Sequence, residues 1–209
     1  MFTGIIQRVA QLREVTPRQG DVEMVFAVDA GYLHGVKLGD SIASNGCCLT
    51  VTRLLSDAYA VDVSRESLAV TTLQAWQAGR KINLEKALCA GDPLGGHYVT
   101  GHVDGMGTMV ERHDDARSVR MRFAVPRELG RYLARKGSVA VDGVSLTVNT
   151  VGDAADHSWF EVNLVPHTLM VTILNGFQPG TEVNIEIDII ARYLERQQSG
   201  ESAQQAGQE

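Results

Sequence analysis

Long apolar runs are missing from this chain of 209 residues. No stretch approaches the roughly eighteen consecutive apolar residues from which a membrane-spanning helix is built. The N-terminus also lacks the basic and apolar blocks of a signal peptide. Cysteine is scarce: of three, Cys47 and Cys48 are adjacent, so a disulfide framework is excluded. These absences predict a soluble protein of the reducing cytoplasm. Positive charge is in deficit too, with 19 Lys and Arg against 25 Asp and Glu, a net charge of −6 and no basic block. That balance argues against nucleic acid as a partner.

Two familiar site patterns are likewise absent. "LGGHYVTGHVDGMG" is rich in glycine but lacks the lysine and the following helix of a phosphate loop. Cys47, Cys48, Cys89, His97 and His102 make a superficial ligand set. Adjacent cysteines do not have the C-x₂-C spacing of a zinc site, and two histidines five apart face opposite sides of a regular strand. No metal site is predicted.

What the chain does contain is a repeat. "GDSIASNGCCLTV" (Gly39 to Val51) and "KGSVAVDGVSLTV" (Lys136 to Val148) match at an offset of 97 residues. "FTGII" meets "VTGHV" at the same offset. "VDVSRESLAVTTL" meets "VNLVPHTLMVTIL", and "KINLEKA" meets "EVNIEID", after a four-residue insertion in the second copy. Collinear matches of this kind mean two copies of one unit.

The apolar period inside each copy is two. Leu49 and Val51 alternate with Thr50 and Thr52, and Val61 and Val63 with Asp62 and Ser64. Such runs, bounded by Gly, Asp and Asn clusters, predict strands with turns and a small antiparallel barrel per copy. Short helical pieces are expected at "SRESLAVTTL" and "RELGRYLARKG". If Leu49 and Val51 fill a core, Cys48 and Thr50 point away from it, as do Ser145 and Thr147 beside Leu146 and Val148. Asp62, Ser64, Asn163 and His102 also oppose the apolar set, whereas Cys47 shares the face of Leu49. After Asp188 the repeat stops. Ile189, Ile190, Tyr193 and Leu194 form a helical stripe that either docks on its own barrel or meets copies of itself, and "SGESAQQAGQE" reads as a frayed polar tail.

The copies differ where chemistry would be done. Cys48 aligns with Ser145, Ile5 with His102, Ala87 with Asp188, and Gly39 with Lys136, while Thr50/Thr147 and Asp62/Asn163 stay alike. Similar rims suit similar ligands. Unequal ones let two copies of one substrate play donor and acceptor.

Taken in order, "MFTGII", "SNGCCLTV", "GGHYVTGHVDG", "VDGVSLTV", "VPHTL" and "VNIEID" resemble the riboflavin synthase family of alpha-chain type, over the chain to about Arg196. The resemblance implies an all-β fold of two tandem six-stranded antiparallel barrels of Greek-key type, residues 1–97 and 98–188. A C-terminal helix and tail over 189–209 would hold a homotrimer. The implied reaction is dismutation of two 6,7-dimethyl-8-ribityllumazine molecules to riboflavin and 5-amino-6-(D-ribitylamino)uracil, the last step of riboflavin biosynthesis. It is a transfer of a four-carbon unit that uses no metal or redox cofactor. The active site would lie between barrels of neighbouring subunits, and association with a lumazine synthase is a further partnership the resemblance allows.

Position by position, the resemblance assigns the first-barrel site to Gly4, Ile5, Ile6, Cys48, Leu49, Thr50, Asp62, Val63, Ser64, Arg65, Glu66 and Ser67, closed by Gly101, His102 and Val103. The second-barrel site takes Lys136, Ser145, Leu146, Thr147, Asn163, Leu164, Val165, Pro166, His167 and Thr168. His102, Ser145, Cys48, Asp188, Lys136 and Ser41 are implied for the chemistry. Histidine exchanges protons near neutrality, which suits His102 to removing one from the C7 methyl of one lumazine. Ser145, Cys48 or a water held by them would add to C7 of the other, with Asp188 orienting or deprotonating that group. A non-catalytic lumazine- or flavin-binding relative could dispense with polar groups in the second barrel. Here Lys136, Ser145, Thr147, Asn163 and Asp188 are all present, which favours the enzyme. A generic β-barrel interaction module leaves the unequal rims unexplained.

Overall fold

The computed structural model describes residues 1–206, with side chains through Gln198. Each repeat is a closed barrel of six antiparallel strands. The first comprises β1 (Arg8–Arg18), β2 (Asp21–Ala27), β3 (Ser41–Ser44), β4 (Cys47–Leu54), β5 (Ala58–Val63) and β6 (Lys81–Lys86). The second comprises β7 (Gly105–Asp115), β8 (Ser118–Pro126), β9 (Ser138–Val141), β10 (Val144–Asp153), β11 (His157–Leu164) and β12 (Glu182–Ile187). In both, the meander of third, fourth and fifth strands sits between the second and the sixth, and the sixth closes on the first. The four-residue insertion lengthens β10 and β11 by two residues each over β4 and β5. No helix among the described residues is long and apolar enough to cross a membrane.

Alternation explains the cores. Along β8 every second residue, from Val119 to Val125, is buried. Each barrel stacks two aromatic rings at equivalent positions, Phe26 on Tyr59 at 5.2 Å and Phe123 on Phe160 at 5.4 Å. The buried Tyr59 hydroxyl finds Ser44 Oγ at 3.2 Å. In the second copy Val141 and Phe160 replace both partners at once, so no buried polar atom is left unpaired there.

The short helices repeat as well: α1 (Ala30–Leu33) with α3 (Arg127–Gly130), and α2 (Arg65–Val70) with α4 (Pro166–Val171). α1 is not signalled by the sequence pattern, being one turn capped by Asp29, whose Oδ1 accepts from Tyr32 N–H. The stretch 127–137 is helical only at its start. Beyond Gly130 the N–H groups of Tyr132 and Leu133 reach back three residues instead of four, and Lys136 turns the chain at φ 69° into β9. The last helix, α5 (Ile189–Ala206), runs further than the sequence suggests, since its backbone stays helical into the polar tail. Residues 207–209 of that tail lie outside the described residues. Ile190, Tyr193 and Leu194 on α5 are more than half exposed.

The barrels meet about a pseudo-twofold axis through two tight turns, Asn45–Gly46 and Asp142–Gly143, all at positive φ. A Cβ on Gly46 would lie 2.8 Å from Gly143 N, so only glycines let the turns lie back to back. Asn45 Nδ2 donates to Asp142 Oδ2 across the axis at 3.4 Å. Asp142 is wholly buried, and desolvation pushes its carboxyl up to about 7 against the pull of the Asn184 N–H. A carboxyl whose pKa is higher folded than unfolded favours the fold when protonated. Its contribution is full below the ordinary aspartate value and is lost as pH rises through about 7. Urea unfolding at pH 4.5 and 8 should therefore show a loss of about 1–3 kcal/mol at the higher pH. Asp142→Asn should flatten that slope, and an unchanged slope would acquit Asp142.

Candidate active site

The register of β3, β4 and β5 builds the first rim. Ser41 pairs with Thr50 and Ala43 with Cys48. One step beyond the Val51–Val61 pair, Thr50 stands opposite Asp62 and outward from the core. Thr50, Asp62, Ser64, Arg65 and Glu66 are exposed, and Cys48 is half-buried. Ser64 caps α2 by accepting from Ser67 N–H at 3.2 Å. Ser41 also borders a hollow with His34, Asp40 and Lys86. Leu49 and Val63 fill the core, so only their backbone is left to the rim.

β9, β10 and β11 repeat this rim. Ser138 pairs with Thr147 and Ala140 with Ser145, and Thr147 stands beside Asn163. Thr147, Asn163, Val165, Pro166 and His167 are exposed, Ser145 and Thr168 are half-buried, and Leu146 and Leu164 belong to the core. Here Val165 offers no side-chain cap and Pro166 opens α4. Lys136 is exposed at the left-handed turn where the first copy has Gly39.

Each rim is closed by a strap from the other half. Gly101 O accepts from Cys48 N–H at 2.9 Å, and Val103 packs on the first core. Gly4 O accepts from Ser145 N–H at 2.8 Å, and Ile6 packs on the second core. Gly4 and Ile6 therefore meet the second barrel, whereas the sequence reading groups them with the first. The correction follows from the crossing of the two straps, which alignment alone does not reveal.

Two buried carboxylates that the sequence reading passes over hold these straps. Glu85 accepts from Thr3 N–H (2.7 Å), Thr3 Oγ1 (2.6 Å) and Gly4 N–H (2.9 Å). Glu186 does the same for Thr100 N–H (2.6 Å), Thr100 Oγ1 (2.8 Å) and Gly101 N–H (2.9 Å). Burial pushes both carboxyls up while these donors pull them down. Their signal was in the sequence: Thr3/Thr100 and Glu85/Glu186 are repeat-matched pairs.

The second rim holds one more group. His97 Nδ1 lies 2.7 Å from Ser145 Oγ. Desolvation lowers the pKa of this buried ring, and the charge of Asp188 partly offsets it. Asp188 itself caps α5, its Oδ1 accepting from Ile190 N–H at 3.0 Å. That role accounts for its contrast with Ala87, which no such helix follows. His102 is exposed beside the first rim, its N–H bound to Thr100 Oγ1 at 3.2 Å. Among the described residues no three His, Cys, Asp or Glu gather as metal ligands. Hydroxyls, amides and strap carbonyls suit a flat heterocycle bearing carbonyls and a polyol chain.

The Lumazine binding domain family matches the chain twice, over residues 3–87 and 100–188. The riboflavin synthase of Photobacterium phosphoreum is 43% identical over 196 residues, 94% of this chain and 88% of that protein. That of Brucella abortus is 44% identical over 202 residues, 94% of this chain and 97% of that protein. The crystal structure of LumP complexed with 6,7-dimethyl-8-(1'-D-ribityl) lumazine is similar in fold, with a TM-score of 0.79 at 24% identity. It covers 89% of this chain and 98% of that one.

Proposed function

The chain belongs to the riboflavin synthase family, with a lumazine-binding domain in each half, and we propose that it transfers a four-carbon unit between two 6,7-dimethyl-8-ribityllumazine molecules. The products are riboflavin and 5-amino-6-(D-ribitylamino)uracil. Together they contain the atoms of two substrate molecules, so no oxidant or reductant enters. The observation that carries the reading is two rims of one design with unequal reactive groups. One has Cys48 under a strap ending in His102, and the other has Ser145 against His97.

On this reading the units 1–97 and 98–188 each bind one lumazine. Thr50, Asp62 and Ser64 hold the first ring and its ribityl chain; Thr147, Asn163 and Thr168 hold the second. His102 takes a proton from the C7 methyl of the first-rim lumazine, and Ser145 adds to C7 of the other. Stacking two flat rings in register supplies much of the acceleration. The rings must come face to face, and a homotrimer pairing the first barrel of one subunit with the second of its neighbour does this. The exposed Ile190, Tyr193 and Leu194 of α5 support such an assembly. Three free cysteines suit a cytoplasmic enzyme.

Purified protein given this lumazine alone should form one riboflavin for every two lumazines consumed, followed by absorbance and fluorescence. Ser145→Ala and His102→Gln should each slow turnover about tenfold or more while the fold is kept. Tight binding without consumption would instead make the chain a chromophore carrier.

A further inference from the structure

We propose that His97 is the proton acceptor of Ser145 and fixes the direction of its hydroxyl. The claim rests on the riboflavin synthase reading and adds a residue to its second rim.

The geometry is held from outside the pair. Ser145 N–H donates to Gly4 O at 2.8 Å, and His97 N–H donates to Thr3 O at 3.1 Å. Both backbones thus hang from one strap, which Glu85 clamps with three hydrogen bonds. The connector comes so close at Gly96 that a Cβ there would lie 2.8 Å from Ser145 Oγ. The 2.7 Å between Nδ1 and Oγ is therefore set by backbone.

The imidazole is 7% exposed, and among the described residues its buried Nε2 meets no hydrogen-bond partner. Ser145 is thus its one side-chain anchor. With the hydrogen on Nε2, Nδ1 presents a lone pair to the serine. Burial disfavours charge on the ring, and Asp188, at the start of α5, partly offsets this by favouring a transient imidazolium.

The step balances. As the bond from Ser145 Oγ to C7 of the donor lumazine forms, the O–H bond breaks and its proton passes to Nδ1. The π pair displaced from C7 withdraws into the pyrimidinedione, whose carbonyls carry the negative charge. Reversal returns the proton and frees the serine. His97 is thus a positioning residue that acts through Ser145.

His97→Asn separates this role from a structural one. Its amide reaches about where Nδ1 lies and keeps a hydrogen bond to Ser145, but it takes up no proton. The expected result is a fall in kcat of about 100-fold with lumazine affinity within about threefold, together with loss of the acid limb of the kcat–pH profile. Wild-type kcat and profile in the variant would overturn the proposal, as would parallel loss of affinity and kcat. Should the variant not fold, two-bond proton–nitrogen NMR of the wild-type imidazole decides: an unprotonated Nδ1 is required, and a protonated one overturns it. If the wild type itself leaves lumazine unconsumed, it is the enzyme reading that fails, and the NMR result still reports the pair.

Discussion

Gly4→Ala should cost about 3 kcal/mol or more of stability and at least tenfold in turnover, because two penalties coincide at one atom. Gly4 has φ 75°, where any other L residue pays about 1 kcal/mol. The added Cβ would also lie 2.5 Å from Ser145 Cβ and 2.7 Å from Ser145 N. Those atoms belong to a barrel strand and cannot swing aside as a long side chain would, so the strap itself must lift. Lifting it breaks the Ser145 N–H to Gly4 O bond and shifts the Thr3 carbonyl that anchors His97. Gly35→Ala isolates the first penalty: its φ is 81°, and nothing lies within 4 Å of the new Cβ. Its expected cost is only about 1 kcal/mol, with turnover unchanged. Urea midpoints and initial rates of both variants make the comparison. Equal losses would mean that the strap does not close on Ser145. Gly101→Ala tests the closure related by the pseudo-twofold axis, since its Cβ would lie 2.6 Å from Cys48 Cβ.

Much of this was legible in sequence because period-two alternation dictates facing. Thr50 and Asp62 point outward while Val51 and Val61 fill the core, as the pattern requires. The unequal pair Cys48/Ser145 was visible for the same reason. What was not legible depends on three-dimensional crossing. Nothing in "FTGII" says that its glycine closes the other copy's rim, so the sequence pattern groups Gly4 and Ile6 with the first barrel although they meet the second. His97 was hidden for a related reason. Repeat logic weighs only aligned positions, and His97 sits in the connector. Asp188 shows that a position singled out by such logic can carry a structural role as well. A difference between copies drew attention as chemistry, yet its carboxylate also performs the ordinary task of capping a helix that only one copy has.

The same crossing should make the two barrels unfold as one unit, and Asn184→Ala should expose this with a loss of about 3–5 kcal/mol. Asn184 lies on β12 yet serves the first copy: its Oδ1 accepts from Thr72 N–H at 2.8 Å and its Nδ2 donates to Asn45 O at 2.9 Å. Asn83 on β6 reciprocates, accepting from Ile173 N–H at 2.9 Å and donating to Asp142 O at 3.0 Å. Truncating Asn184 strands a buried donor and a buried acceptor, each costing about 1–3 kcal/mol, and the site is too enclosed for bulk water to repair. The chain has only two tryptophans, Trp76 packed in the first barrel and Trp159 on β11 of the second. Phe replacements at one or the other therefore let fluorescence follow each barrel separately. With Asn184 present the two signals should change together on unfolding. In Asn184→Ala the Trp76 signal should move to lower denaturant, because Trp76 Nε1–H is bound to Oγ1 of the same Thr72 that has lost its partner. Adding Asn83→Ala should cost less than it does alone, since both asparagines brace the same pair of turns and the first truncation has already loosened them. Strict additivity, or a loss under about 1 kcal/mol, would mean that the barrels merely touch and that the crossed straps alone carry the coupling between rims.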